Sequence, residues 1–340
     1  MQVVVIGAGR MGAIRTEDLV ADARVDEVHI VNRTPDRATA LARQFGARPL
    51  AWADLDSVRP DAYVAALATD AHSDLLTALL SRRVPVLCEK PIALTLEHTD
   101  EIIACAEGHG TPLQIGFQRR FDPGIRRARD LVAGGVVGTL YSMIMVAHDH
   151  TPSSREFLAG SGGIFRDMHV HDFDLVRWIT GAEVETVYAT KAVRAHAQYA
   201  EFDDADATQI QLVTTDGVQV TVSGTRHDAL GHDVRLEIHG SLDSVAAGLN
   251  PRTPLRALDG EISPDAALDL NRRPYAGFVD RFRDAFRNET AAFVSLVTGE
   301  GGNPCPPDSA RESLRIAIAC EESIATGEAV RVADIGSAGR

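Results

Sequence analysis

The chain has 340 residues, 45% of them hydrophobic and 24% charged. That is enough for two ordinary cores and argues against wholesale disorder. Acidic residues outnumber basic ones 48 to 34, a net charge of −14. The excess argues against a nucleic-acid partner, but an anionic cofactor held by backbone N–H groups and one or two arginines stays possible.

No apolar run approaches the ~18 residues of a membrane span, and no leader pattern opens the chain. The four cysteines, Cys88, Cys105, Cys305 and Cys320, form no C-x-x-C pair. A cytoplasmic protein with free thiols is therefore expected, with no membrane partner.

The first third alternates short apolar runs with helical stretches. Residues 3–6 (Val-Val-Val-Ile) read as a strand buried on both faces, and a helix follows from Arg10 to about Ala21. Residues 28–31 form a second strand. Thr34-Pro35 reads as an N-cap with proline at the first helical position, and Ala38, Leu41 and Ala42 follow at core spacing. Strands are expected over 63–67, 84–87 and 115–117, with a helix over 75–80. This alternation predicts a doubly wound parallel sheet with helices on both faces.

The pattern changes after about Asp122. A helix over 124–132 leads to Gly134-Gly135, then strands follow over 140–147, 184–193, 208–214, 218–223 and 234–238. Thr215-Asp216-Gly217 reads as a hairpin turn. One helix, 165–179, interrupts the series, and two more, 275–297 and 308–326, close the chain around a Pro/Gly-rich stretch at 299–307. An α+β domain with a mainly antiparallel sheet is expected over 123–340, after a dinucleotide-binding domain over 1–122. Pro251 to Asn271 reads as an irregular surface excursion.

Three signals carry the chemistry. The first is Gly7-Ala8-Gly9-Arg10-Met11-Gly12, set between a buried strand and a helix, with a second strand ending about twenty residues on. In such a loop the first glycine turns, the second admits a pyrophosphate and the third lets helix pack on strand. Where NAD enzymes place a carboxylate on the ribose diol, this chain has Asn32-Arg33-Thr34. Arg33 and Arg37 can pair with a 2′-phosphate, so NADP is preferred over NAD, unless Thr34 merely caps a helix and both arginines are solvated.

The second signal is Lys90 in Cys88-Glu89-Lys90-Pro91, at the carboxyl edge of the predicted sheet, where open α/β sheets bind ligands. Pro91 pushes Lys90 out of the helical region. The third is Asp167 and His171, four apart on a predicted helix and so on one face. Phe165, Met168, Leu175, Val176 and Ile179 occupy a largely different, apolar stripe. A surface ion pair would account for the pair, as would a metal site using His148, His150 or His169, although no recurring metal-ligand spacing is present. The favoured reading has His171 as general base, with Asp167 orienting it or binding a substrate hydroxyl. No metal is expected.

In this order the signals resemble the glucose–fructose oxidoreductase/inositol dehydrogenase (Gfo/Idh/MocA) family, most of all its inositol 2-dehydrogenases. Residues 69–72 (Thr-Asp-Ala-His), 116–123 (Gly-Phe-Gln-Arg-Arg-Phe-Asp-Pro), 161–167 (Ser-Gly-Gly-Ile-Phe-Arg-Asp) and 171–174 (His-Asp-Phe-Asp) fit it, as does the ending from Phe278 through Val332. The resemblance implies a Rossmann domain followed by an open-faced antiparallel sheet that forms a homodimer or homotetramer interface. It makes Lys90, Asp167 and His171 the catalytic set, places Glu89, Lys90, Thr69, His72 and Gln118 near the cofactor, and makes Arg119 and His148 substrate contacts. Asn32-Arg33 departs from the acid carried by NAD-using members.

The activity expected is hydride transfer between a nicotinamide cofactor and a secondary alcohol of a cyclic polyol or sugar. A non-catalytic dinucleotide-binding sensor and a same-fold reductase of another substrate class are the alternatives.

Overall fold

The structure, a computed structural model, describes residues 1–67, 72–255 and 273–336. The strand–helix alternation is made by β1 (Gln2–Ile6), α1 (Arg10–Ala21), β2 (Glu27–Val31), α2 (Pro35–Phe45), β3 (Arg48–Leu50), β4 (Ala62–Ala65), α3 (His72–Leu80), β5 (Val86–Glu89), α4 (Leu96–His109) and β6 (Leu113–Gly116). Its strands form one parallel sheet in the order β3-β2-β1-β4-β5-β6. Val3, Val4, Val5 and Ile6 are all fully buried, as a strand covered by helices on both faces requires. The strand expected over 84–87 begins at Val86 instead. Pro85 has no N–H for the ladder, although its carbonyl still accepts from Tyr63 N at 2.9 Å.

The chain continues with α5 (Pro123–Ala133), β7 (Leu140–His148), α6 (Arg155–Ser161), a π-helical turn (Phe165–His169), α7 (Val170–Thr180), β8 (Val184–Ala192), β9 (Ala207–Thr214), β10 (Gln219–Thr225), β11 (Asp233–Gly240) and β12 (Ser244–Ala247). After these come α8 (Phe278–Arg281), α9 (Arg283–Val297), α10 (Pro307–Thr326) and β13 (Val330–Arg331).

The second sheet runs β12-β11-β7-β10-β9-β8-β13. Its neighbours are antiparallel except for β7 with β10. Alternation along the strands buries Met143, Met145, Ile210, Leu212, Val220, Val222, Leu236 and Ile238 on one face. The other face is open: Ile144, Tyr188, Gln211 and Thr221 are exposed. The hairpin turn stands where expected, with Gly217 at φ +91°.

Two compact units result: Met1–Phe121 with Asp284–Arg315, and Asp122–Arg283 with Ile316–Arg340. The chain leaves the first unit after Phe121 and returns to it over Asp284–Arg315. The helix expected over 275–297 breaks at Phe282 (φ −116°, ψ 20°) into α8 and α9. Helix α9 brings Phe293 and Val294 into one core with Val3, Val5, Leu19, Val28, Val64 and Leu87. Of the expected surface excursion, residues 251–255 are turn and irregular backbone, and 256–271 lie outside the described residues.

A fully buried guanidinium ties α9 into the first unit. Arg15 Nε donates to Glu89 Oε1 at 2.7 Å, Nη2 to Glu289 Oε2 at 2.5 Å and Nη1 to Thr290 Oγ1 at 3.1 Å. One cation thus faces two carboxylates. Burial pushes the Glu289 carboxyl up from its ordinary 4.5 to about 7; Arg15 opposes the rise and Glu89 adds to it.

Removing the cation strands the buried Glu289. Arg15→Met should cost roughly 3–5 kcal/mol in denaturant unfolding, and a loss below ~1 kcal/mol would show the triad to be dispensable. A second expectation concerns pH. A carboxyl that binds its proton more tightly when folded stabilises fully below its unfolded value, and loses that contribution as pH rises through the folded one. Stability from this group should therefore fall between pH 4.5 and about 7. Glu289→Gln should flatten that decline; equal pH slopes in the two proteins would remove Glu289 as its source.

Candidate active site

The glycine loop lies between β1 and α1. Gly7 has φ +115°, and a Cβ there would sit 2.2 Å from the Ala66 carbonyl oxygen. A Cβ on Gly12 would sit 1.9 Å from the Gly7 carbonyl oxygen, so the third glycine is required by helix–strand packing. Gly9 differs: a Cβ there meets nothing within 4 Å among the described residues. It is the N-cap of α1, no side chain caps the helix, and its first turn holds no acid. The turn is built from close packing, while its middle glycine faces space beside a helix N-terminus. That arrangement accepts an anion such as a pyrophosphate. Arg10 is exposed and Met11 half-buried at the start of the helix.

Strand β1 pairs with β2 on one side and β4 on the other, which is the point where the winding of the sheet reverses and where such sheets bind ligands. At the end of β2, Asn32 Oδ1 accepts from Ala8 N at 3.1 Å and Nδ2 donates to Thr34 O at 3.1 Å. Asn32 therefore holds the glycine loop itself. Arg33 lies over the Trp52 ring, 5.6 Å from its centroid, and Arg33, Thr34 and Arg37 are exposed. Thr34 is the N-cap of α2 with Pro35 behind it, but its hydroxyl makes no capping bond.

Lys90 follows the last residue of β5 and is half-buried at the carboxyl edge of the parallel sheet. Its neighbour Glu89 accepts from Arg15, so its carboxylate is engaged within the first unit. Gln118 and Arg119 lie buried in the 3-10 turn Gln118–Phe121. Thr69 lies outside the described residues, and His72 is described only as the first residue of α3. A cavity of about 350 Å³ lined by Asp56, Arg59, Tyr63, Arg82 and Val84 contains none of the expected site residues.

The second unit holds the acid and the histidine. Where a regular α-turn was expected, residues 165–169 form a π-turn, a widened turn often found at functional sites. It begins just after Gly162 and Gly163, both at positive φ. Asp167 lies within it, and His171, 7% exposed, in the first turn of α7. Asp167 Oδ2 accepts from Arg226 Nη1 at 2.7 Å.

The neighbouring histidines each have polar partners close by. His169 is fully buried, with Nδ1 2.8 Å from Asp172 Oδ2 and Nε2 2.8 Å from Thr208 Oγ1. His148, at the end of β7, lies 3.1 Å from Ser223 Oγ and 3.5 Å from Asp228 Oδ2. Burial lowers its proton affinity against the pull of Asp233 and Asp228, favouring the neutral ring. His150 Nδ1 is 2.9 Å from the Asp228 carbonyl. Among the described residues no group of three or more such side chains is set to hold a metal ion, and no helix is long and apolar enough to cross a membrane.

Arg226, Asp204 and Arg15 went unnoticed in the sequence. Arg226 follows β10 directly and meets Asp167 across 59 residues, so no local spacing links them.

The two glycines allow a paired test. Gly12→Ala should cost roughly 1–3 kcal/mol of stability by forced overpacking. Gly9→Ala should melt like the parent but bind dinucleotide at least ~10-fold more weakly. Thermal melts with a fluorescence titration check both; unchanged binding by Gly9→Ala would remove the loop from the cofactor site.

Residues 1–117 match the model of the oxidoreductase family with an NAD-binding Rossmann fold, and residues 125–246 match that of the GFO/IDH/MocA C-terminal domain. The chain is 33% identical to the myo-inositol dehydrogenase Hyg17 of Streptomyces leeuwenhoekii, over 96% of this chain and 98% of that one. It superposes on the crystal structure of a myo-inositol dehydrogenase from Corynebacterium glutamicum with a TM-score of 0.87 and 31% identity, covering 97% and 98% of the two chains. With GenD2 from gentamicin A biosynthesis, solved in complex with NAD, the TM-score is 0.82 at 25% identity, covering 97% and 96%. With its parallel dinucleotide-type sheet and its mixed, mainly antiparallel second sheet, the chain belongs to the Gfo/Idh/MocA family of NAD-binding oxidoreductases.

Proposed function

We propose that this protein is a dehydrogenase that oxidises a secondary alcohol of a cyclic polyol or sugar, inositol-like in its ring of hydroxyls. The observation that carries the reading is the Asp167–His171 element. It sets an ion-paired carboxylate four residues before a nearly buried imidazole, in a chain whose relatives are named inositol dehydrogenases.

His171 acts as general base and takes the hydroxyl proton, its ordinary range lying near neutral pH. Lys90 donates a hydrogen bond to the same oxygen and stabilises the negative charge that develops there. Asp167, held by Arg226, orients His171 or accepts from a substrate hydroxyl. Arg119 and His148 supply further polar partners, since a polyol needs several. A nicotinamide ring, when bound, supplies the hydride acceptor.

Gly7, Gly9, Arg10, Met11 and Gly12 cradle the pyrophosphate, with Thr69, His72, Glu89, Lys90 and Gln118 beside the cofactor. NADP is preferred over NAD. Asn32 puts no charge at the end of β2, and Arg33 and Arg37 are exposed to meet a 2′-phosphate. The open face of the second sheet supports a homodimer or homotetramer, and the free thiols fit a reducing cytoplasm.

Steady-state assays over a polyol panel, read at the nicotinamide absorbance band, test the chemistry. His171→Ala should lose on the order of 10²–10⁴ in kcat with little change in dinucleotide affinity, and Lys90→Ala a comparable factor. Near-normal turnover in either variant ends that residue's role. kcat/KM should be higher with NADP; a strong NAD preference withdraws the 2′-phosphate assignment.

A further inference from the structure

Arg226 is fully buried in the second unit, yet it carries a charge and uses both terminal nitrogens on carboxylates. Nη1 donates to Asp167 Oδ2 at 2.7 Å and Nη2 to Asp204 Oδ2 at 3.1 Å. Asp204 Oδ1 in turn accepts from Ile164 N at 2.8 Å, one residue before the π-turn. The buried pair therefore grips the turn twice, by the backbone at its start and by the carboxylate of Asp167 within it.

Arg226 is itself anchored. Its N donates to the Asp206 carbonyl at 2.9 Å. The Asp206 carboxylate accepts from Arg194 N, Ala195 N and His196 N at 2.7, 2.7 and 2.8 Å. A π-turn replaces the regular i to i−4 ladder with wider i to i−5 bonds, and these side-chain ties add to them.

We propose that Arg226 is a positioning residue for the reaction: with Asp204 it sets the π-turn and holds Asp167 as a fixed anion rather than a proton acceptor. The inference rests on the reading that Asp167 and His171 act on the substrate. Without the cation the Asp167 carboxylate loses the bond from Arg226 Nη1 that fixes its rotamer. Nearby Asp167, Asp204 and Asp149 hold Arg226 firmly protonated against its burial.

The test is a double-mutant cycle. Arg226→Met keeps the volume and should lower kcat about 10²-fold, the cost of a misplaced catalytic group, with dinucleotide affinity changed less than about threefold. In an Asp167→Asn background, where the ion pair is already lost, adding Arg226→Met should cost less than about threefold more. Arg226→Lys, which keeps the charge, should recover about tenfold of the loss.

Full multiplicative losses in the cycle, or a normal rate in Arg226→Met beside a crippled Asp167→Asn, would overturn this inference alone. A normal rate in Asp167→Asn would instead overturn the reading of the pair. If Arg226→Met does not fold, Asp204→Asn takes its place. It should lose about tenfold in kcat alone and almost nothing in the Asp167→Asn background, and a normal rate there would refute the positioning role.

Discussion

The dinucleotide unit depends on how a single guanidinium is satisfied. Arg15 projects from the helix that opens at the glycine loop and is fully sealed from water. An unpaired buried cation is prohibitive, so Arg15 requires Glu89 from the end of β5 and Glu289 from α9. The carboxyl edge of the sheet, the loop helix and a segment from late in the chain are thereby locked together. Lys90 inherits its place from this lock, being the residue after Glu89. The apolar packing of Phe293 and Val294 against β1 adds the non-directional part of the same attachment.

The second unit solves a similar problem around the opposite charge. Asp167 lies in a widened turn, and Arg226 with Asp204 ties that turn to β10 and the segment before β9. His169, inside the same turn, is consumed by Asp172 and Thr208 and works as core structure. Two histidines two residues apart thus stand in different elements: His169 is fully buried in the π-turn with both ring nitrogens engaged, and His171 lies in the first turn of α7.

Membership of the family and the fold rest on full-length similarity, while the chemistry rests on a few side chains. The glycine loop is built so that Gly7 and Gly12 are sterically required while a Cβ on Gly9 would meet none of the described residues. Such a loop serves binding as well as turning. Asn32 does two things: it takes the Ala8 amide into the loop's own hydrogen bonding, and it leaves the end of β2 without a negative charge.

Much of this was legible in the sequence, because local signals are strong where an element obeys one period. Residues 3–6 read as a doubly buried strand, the glycines as a strand-to-helix turn, and Thr215-Asp216-Gly217 as a hairpin. Each depends on neighbours within a few residues. Local pattern failed where a distant partner decides. Nothing in residues 165–169 announces a π-turn, since its ties come from Asp204 and Arg226. Nothing in 283–297 says that the helix belongs with β1, since its face is chosen by Arg15 and the core beside it. The sequence alone determined most of the element types and the strand-to-helix turn at the glycines. Only the tertiary structure decided which charges neutralise one another, because a buried charge selects its partner by distance in space and not by separation along the chain.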